Sequence, residues 1–279
     1  MEKIEGQFYF VNERLEKTED SAAFPVFEGQ TVYELIRVQD GIALFLEDHL
    51  ERFFRSAAYL DLPPDATPSD IAERIYKLTE ANQVNEKNVK LILGKGTSGE
   101  SLLWIFFTQS IYPPAAYYEE GIRTSLFHIE RLDPNIKLVR GDYQKAVLQE
   151  RAEKDVYELL LVDANEEITE GSRTNVFFVK GSALYTPPAK SVLLGIVRKK
   201  VFEICEKRQI PIHELPIPVA WIDSCEGAFV SGTGNNILPI SAIGEEAIPT
   251  MTNEIVQTIL SDYAELVKQY KDNHGSAKK

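Results

Sequence analysis

The residues with the most chemistry in this chain lie between Glu170 and Arg198. Glu170-Gly171-Ser172-Arg173-Thr174-Asn175-Val176-Phe177 sets a single carboxylate at the head of an apolar strand, and Leu184-Tyr185-Thr186 continues the apolar pattern. Leu193-Leu194-Gly195-Ile196-Val197-Arg198 then reads as a turn that opens a helix. An ionised carboxylate can accept the N–H of a protonated ring nitrogen. The free N–H groups of a helix start can bind a phosphate dianion, helped by the helix dipole. Taken alone, an acid at a strand start is ordinarily a solvated residue. The fixed distance from Glu170 to the helix start is what makes the pair informative.

A third chemical group is an amine. In Pro134-Asn135-Ile136-Lys137-Leu138 a lysine stands among apolar neighbours at the end of an extended stretch, just before a helix beginning near Asp142. A buried site next to a cation favours the neutral amine, the form that acts as nucleophile or proton shuttle. Lys145 and Lys154 are rivals, but the helical pattern puts both on a solvent side.

The N-terminal half carries Val32-Tyr33-Glu34-Leu35-Ile36-Arg37 and Glu47-Asp48-His49-Leu50-Glu51-Arg52-Phe53. The Arg52 guanidinium suits a phosphate by its fork geometry and permanent charge; the competing reading is a surface residue in weak ion pairs. His49 reads as a structural residue at a helix start. Gly94-Lys95-Gly96-Thr97-Ser98-Gly99 formally matches a dinucleotide fingerprint, but a strand follows it where that fold requires a helix, so it reads as a hairpin turn.

These residues need elements to hold them. Strands are expected over 31–38 and 42–46, turning at Asp40-Gly41, and near 89–93 and 102–108. An amphipathic helix presents Leu50, Phe53, Phe54, Ala57 and Leu60, and a second begins at Thr67-Pro68, with Thr67 as cap. Beyond the breaker Tyr112-Pro113-Pro114-Ala115-Ala116, strands are expected near 122–128, 157–162, 175–179, 183–186, 211–217 and 227–231. Helices are expected near 142–154, 195–208 and 252–270. The division that results is a small α+β domain over 1–112, a linker over 113–117, a larger β-rich domain over 118–271 and a polar tail over 272–279.

With 279 residues, the chain can bury a sizeable core. Its 43 acids against 30 bases, a formal charge of −13, oppose a nucleic-acid or anionic-membrane surface and favour small-molecule partners. No apolar run reaches the roughly 20 residues that span a bilayer, and the N-terminus MEKIEGQ has no basic-then-apolar leader, so a cytoplasmic location is expected. Cys205 and Cys225 are too few for a disulfide scaffold or a zinc site, and no metal is expected.

The order and spacing of these blocks, from about Tyr33 to Pro239, resemble the fold-type IV pyridoxal-phosphate enzymes: branched-chain aminotransferases, D-amino-acid aminotransferases and aminodeoxychorismate lyases. The resemblance implies two domains, the second barrel-like, with pyridoxal 5'-phosphate between them, and a homodimer. It implies that Lys137 carries the cofactor and shuttles the Cα proton, and that Glu170 holds the pyridine nitrogen. Leu193 would pack on the ring. Phosphate would be held by Ile196, Val197, Thr233 and Arg52, with Val197 standing where the family has threonine. Tyr33 would face the substrate, and Lys95 would supply a positive charge in a hairpin that lacks the Arg-x-His trap of D-amino-acid aminotransferases. Other departures are Arg140 and Gly141 in place of the family's asparagine after the lysine, and Asn236 and Leu238 in place of glutamate and threonine. The implied activity is transfer of an amino group from an amino acid to a 2-oxoacid. The alternatives are a lyase releasing pyruvate and p-aminobenzoate, and an inactive descendant, against which the joint presence of Lys137 and Glu170 weighs.

Overall fold

The computed structural model describes residues 3–20, 26–129, 135–138 and 141–275. The chain is α+β and divides into two compact units, one of residues 1–111, 136–139 and 267–279, the other of 112–135 and 140–266.

The first unit contains β1 (Ile4–Val11), β2 (Arg14–Lys17), β3 (Glu28–Gln39), β4 (Ile42–Ala43), α1 (Leu46–Tyr59), α2 (Pro68–Ala81), β5 (Glu86–Lys95) and β6 (Ser101–Thr108). Its strands form one antiparallel sheet in the order β2-β1-β6-β5-β3-β4. Asp40 and Gly41, both at positive φ, close the β3–β4 hairpin as the sequence requires. Thr67 caps α2 in a complete capping box with Asp70, and Pro68 takes the first turn, where its missing N–H costs nothing. Alternation along the strands gives the sheet two apolar faces. One, carrying Val32, Ile36, Leu91 and Leu93, packs with Leu50, Phe53 and Ala57 of α1 and Ile71, Ile75 and Leu78 of α2. The other gathers Tyr9, Ile92, Trp104 and Phe106, with Tyr33 against them. The Gly94–Gly99 motif is the β5–β6 turn, closed by Gly96 and Glu100.

The second unit contains α3 (Ala116–Glu120), β7 (Ile122–His128), α4 (Gly141–Lys154), β8 (Glu158–Val162), β9 (Glu167–Gly171), β10 (Asn175–Lys180), β11 (Ala183–Thr186), α5 (Ile196–Arg208), β12 (Ile212–Glu214), β13 (Ile217–Pro218), β14 (Gly227–Gly232), β15 (Asn236–Ile243), β16 (Glu246–Ala247) and most of α6 (Glu254–Gly275). Its sheet runs β12-β11-β10-β14-β15-β7-β8-β9-β13, with β16 on β15. The pairs β11–β12, β15–β7 and β7–β8 are parallel. Val176, Phe178, Ala228, Val230, Leu238 and Ile240 form the middle of its core.

Several elements depart from the sequence expectations. The strand expected over 211–217 is two short pieces at opposite ends of the sheet, β12 on β11 and β13 on β9. Pro216 lies between them, where it cannot donate to a ladder. Strand β15 occupies a stretch where no strand is expected, because Asn236, here at φ 54, and Pro239 resemble breakers. Strands β1, β2 and β9 have too little apolar alternation to be seen. Helix α3 begins inside the expected linker, and α6 runs to Gly275, past Asp272. Among the described residues, no helix is long and apolar enough to cross a membrane.

Candidate active site

Glu170 lies near the end of β9 and is 2% exposed, so it is not a solvated strand-start acid. Its Oε2 accepts from the backbone N–H of Leu193 at 3.0 Å. Asn175, at the start of β10, donates through Nδ2 to the carbonyl of the same Leu193 at 2.8 Å. The two sides of the turn after β9 therefore grip Leu193 by both of its backbone polar groups. Two residues later the chain reaches Gly195, where a Cβ would run into Asn175 Oδ1, so only glycine permits this approach.

Helix α5 starts at once. Gly195 is its N-cap in extended conformation, with no side-chain cap, and the first intrahelical bond is Lys199 N–H to Gly195 carbonyl at 3.0 Å. The amides of Ile196 and Val197 belong to the first turn, whose N–H groups have no partner within a helix. Both side chains are buried. Arg198 is committed elsewhere, to Glu214, to the Pro187 carbonyl and over the Phe202 ring. Thr233 sits half-buried in the β14–β15 hairpin, where Gly232 pairs with Asn236. Asn235 fixes that hairpin, its side-chain oxygen accepting from Tyr157 Oη at 2.9 Å and its carbonyl from Tyr118 Oη at 3.1 Å.

In the first unit the structure brings Lys137 and Tyr33 together across more than a hundred positions of sequence. Leu138 makes an antiparallel bridge with Val32, and Tyr33 N–H donates to the Lys137 carbonyl at 2.9 Å. Ile136 and Leu138 are buried in the helix-side core, while Lys137 Nζ lies 4.8 Å from the Tyr33 ring centroid. Alternation explains this: the two apolar neighbours point one way and the lysine the other. Pro134 and Arg140 of the same segment lie outside the described residues. The rivals Lys145 and Lys154 are exposed on α4, in long ion pairs with Asp142 and Glu150 at 3.9 and 4.0 Å.

A second lysine, Lys90, faces Tyr33. Lys90 is 9% exposed, with Nζ 4.9 Å from the ring centroid. Lys95 is exposed at the end of β5, and alternation from Ile92, the residue paired with Tyr33, puts it on the opposite face.

Arg52 is buried, 3% exposed, and is no surface residue. Its Nε and Nη2 bond the two oxygens of Glu34 at 2.9 and 2.5 Å, and His49 Nδ1 lies 3.1 Å from Glu34 Oε1. Burial pushes the Glu34 carboxyl up, but the Arg52 and His49 charges and hydrogen bonds outweigh it and hold the group well below the usual carboxylate range. Burial pushes the His49 imidazole down, against the pull of Glu34.

Sequence reasoning assigns no role to four contributors: Asn175, Lys90, Glu34 and Glu158. Glu158 has a usable signal, since Glu158-Leu159-Leu160-Leu161-Val162 repeats the pattern of one acid heading an apolar strand.

The chain belongs to the class IV aminotransferases, whose family profile matches residues 31–243. It is 25% identical over 248 residues to the D-alanine aminotransferase of Bacillus licheniformis, covering 84% of this chain and 87% of that one. It is 26% identical over 261 residues to a putative branched-chain-amino-acid aminotransferase of Methanocaldococcus jannaschii, covering 88% and 89%. Among solved structures it is similar to the branched-chain aminotransferase of the archaeon Thermoproteus uzoniensis with norvaline, at a TM-score of 0.84 and 22% identity, covering 96% and 97%.

Proposed function

We propose that this enzyme is a pyridoxal 5'-phosphate-dependent aminotransferase in which Lys137 carries the cofactor and moves the Cα proton. The observation that carries the reading is the double grip of Glu170 and Asn175 on Leu193, which sets a buried carboxylate at a fixed distance from an uncapped helix start. The local chemistry fits the cofactor at both ends, with an acid for a pyridinium nitrogen and amides behind a glycine cradle for a phosphate.

When bound, the cofactor supplies a protonated ring able to take up the electron pair left at Cα. Glu170 would accept the ring N–H and keep that nitrogen protonated. Leu193 would pack on a ring face. The Ile196 and Val197 amides would donate to phosphate with help from the α5 dipole, and the Thr233 hydroxyl would add a donor. Arg52 would add charge to the phosphate while Glu34 orients its fork. Lys137, packed on Tyr33, would hold and return one proton from its Nζ, and Tyr33 would face the substrate. Lys90, which faces Tyr33, would supply positive charge beside it, and Lys95 would supply it in the β5–β6 hairpin.

A homodimer is part of this reading, as the family resemblance implies. Val26, Tyr59, Ile111 and Leu148 are exposed apolar side chains that an assembly can cover. The test of function is incubation of the cofactor-loaded protein with D-alanine or with branched-chain L-amino acids, with and without 2-oxoglutarate, reading oxoacid and glutamate by mass spectrometry. Acceptor-dependent amino transfer is expected. Release of pyruvate and p-aminobenzoate from aminodeoxychorismate without an acceptor would replace the reading by the lyase, and silence with every donor would remove it.

A further inference from the structure

We infer that Glu158 is the positioning residue for Glu170 and acts through the Gly171–Thr174 turn, an inference that rests on the cofactor reading above. Glu158 heads β8 and has no exposed surface. Its Oε1 accepts from Leu159 N–H at 2.9 Å, from Ser172 N–H at 3.2 Å and from the Ser172 hydroxyl. Its Oε2 accepts from the Thr174 hydroxyl at 3.2 Å, and Arg173 Nε lies 3.6 Å away. A carboxylate without water is tolerable only where such donors surround it. Here nearly all of them come from one four-residue turn.

That turn has little freedom. Gly171 N–H donates to the Thr174 carbonyl at 2.8 Å, and Ser172 N–H to the Leu159 carbonyl at 2.8 Å. A Cβ on Gly171 would collide with the Thr174 hydroxyl, the same group that Glu158 holds. The functional groups leave from its two ends. Glu170 precedes it and Asn175 follows it, and both close on Leu193. On a third side, a Cβ on Gly232 would approach Thr174 Cγ2 to 3.3 Å, so the turn also abuts the hairpin that carries Thr233. None of the bonds made by Glu158 reaches Leu193. Glu170 and Asn175, which flank the turn that Glu158 holds and both bond Leu193, are the hydrogen-bonded route by which a disturbance at Glu158 would appear there.

The test uses the full chain with Glu158→Gln, Glu170→Gln, the double variant and Ser172→Ala. Amide hydrogen exchange at Leu193, without and with pyridoxal phosphate, is read against Val201 inside α5 as a control. Glu158→Gln should speed exchange at Leu193 by about tenfold and leave Val201 unchanged. Turnover should fall about 30-fold in the parent background but less than about threefold when Glu170 is already Gln, because the two residues act as one unit. Ser172→Ala, which removes one donor and should fold readily, should show the same pattern in weaker form. Unchanged exchange at Leu193 in both variants, or an equal factor of lost turnover in both backgrounds, would make Glu158 a buried acid of purely structural value. If Glu170→Gln alone keeps parent turnover, the cofactor reading fails, while the Leu193 exchange still decides whether Glu158 positions Glu170.

Discussion

Two buried carboxylates, Glu34 in the first unit and Glu158 in the second, are neutralised in different ways. Glu34 is answered by the permanent cation of Arg52 through two bonds and by the His49 imidazole. Glu158 is answered by two backbone N–H groups and two hydroxyls, with Arg173 farther off at 3.6 Å and itself 44% exposed. A charge-held acid depends on the protonation and presence of its partners. A dipole-held acid depends on the shape of the chain around it. The first arrangement suits a group that presents a guanidinium to an anion, and the second suits one that fixes a turn. Glu170, gripped through the Leu193 amide at the end of that turn, inherits its precision from the second.

Glu170 is the residue whose loss should cost most. Glu170→Gln should leave the cofactor bound and lower turnover by about three orders of magnitude, because a neutral amide cannot keep the ring nitrogen protonated as charge develops. Steady-state kinetics on the reconstituted variant will show it, and parent-like turnover would reduce Glu170 to a buried structural acid.

On the charge-held side, Arg52→Ala should destabilise the fold by about 3–5 kcal/mol, since it strands the Glu34 carboxylate without its main partner. Cofactor affinity should fall as well. Urea denaturation with and without cofactor separates the two effects. Arg52→Lys should recover part of the stability and less of the affinity, because an ammonium cannot reproduce the fork.

The same region should respond to pH with a definite sign. His49 has a lowered folded pKa, so the unfolded chain takes up a proton first, and stability should begin to fall as pH drops below about 6.5. Glu34 also has a lowered folded pKa, and its contribution is present above the unfolded value and lost as pH falls below about 4.3. Denaturation midpoints across this range should therefore decline in two stages. His49→Gln should remove the first stage, and its persistence would place that proton elsewhere.

The smallest expected effect is at Val197. Val197→Thr should add one hydroxyl donor at the first turn of α5 and tighten cofactor binding by about 1–2 kcal/mol. Dissociation followed by fluorescence checks this. A weaker complex would mean that the side chain, 3% exposed, lacks room to turn its hydroxyl toward phosphate.

Much of this was legible in the chain because it rests on local signals. The capping box at Thr67, the Asp40-Gly41 turn, the apolar strands at 89–93 and 102–108, and the Gly195 helix start all follow from residue types at short spacing. Lys137 could be preferred to Lys145 and Lys154 because apolar neighbours and helical periodicity are written in the sequence. What stayed hidden depends on partners far along the chain. No local pattern says that Tyr33 meets the Lys137 carbonyl, or that Glu34 captures Arg52. Lys90 and Lys95 differ only in strand parity, which becomes meaningful once the Tyr33–Ile92 register is known. Strand β15 is hidden for a related reason, since Pro239 reads locally as a breaker and its place opposite Phe229 of β14 depends on a pairing that sequence does not display.

Whether Lys137 is the residue that carries the cofactor is the most direct question to ask of the molecule. The protein loaded with pyridoxal phosphate is to be reduced with borohydride, digested and mapped by peptide mass spectrometry. The pyridoxyl group is predicted on Lys137, in the peptide that pairs with Tyr33. Label on Lys145 or Lys154 with Lys137 unmodified would contradict the account.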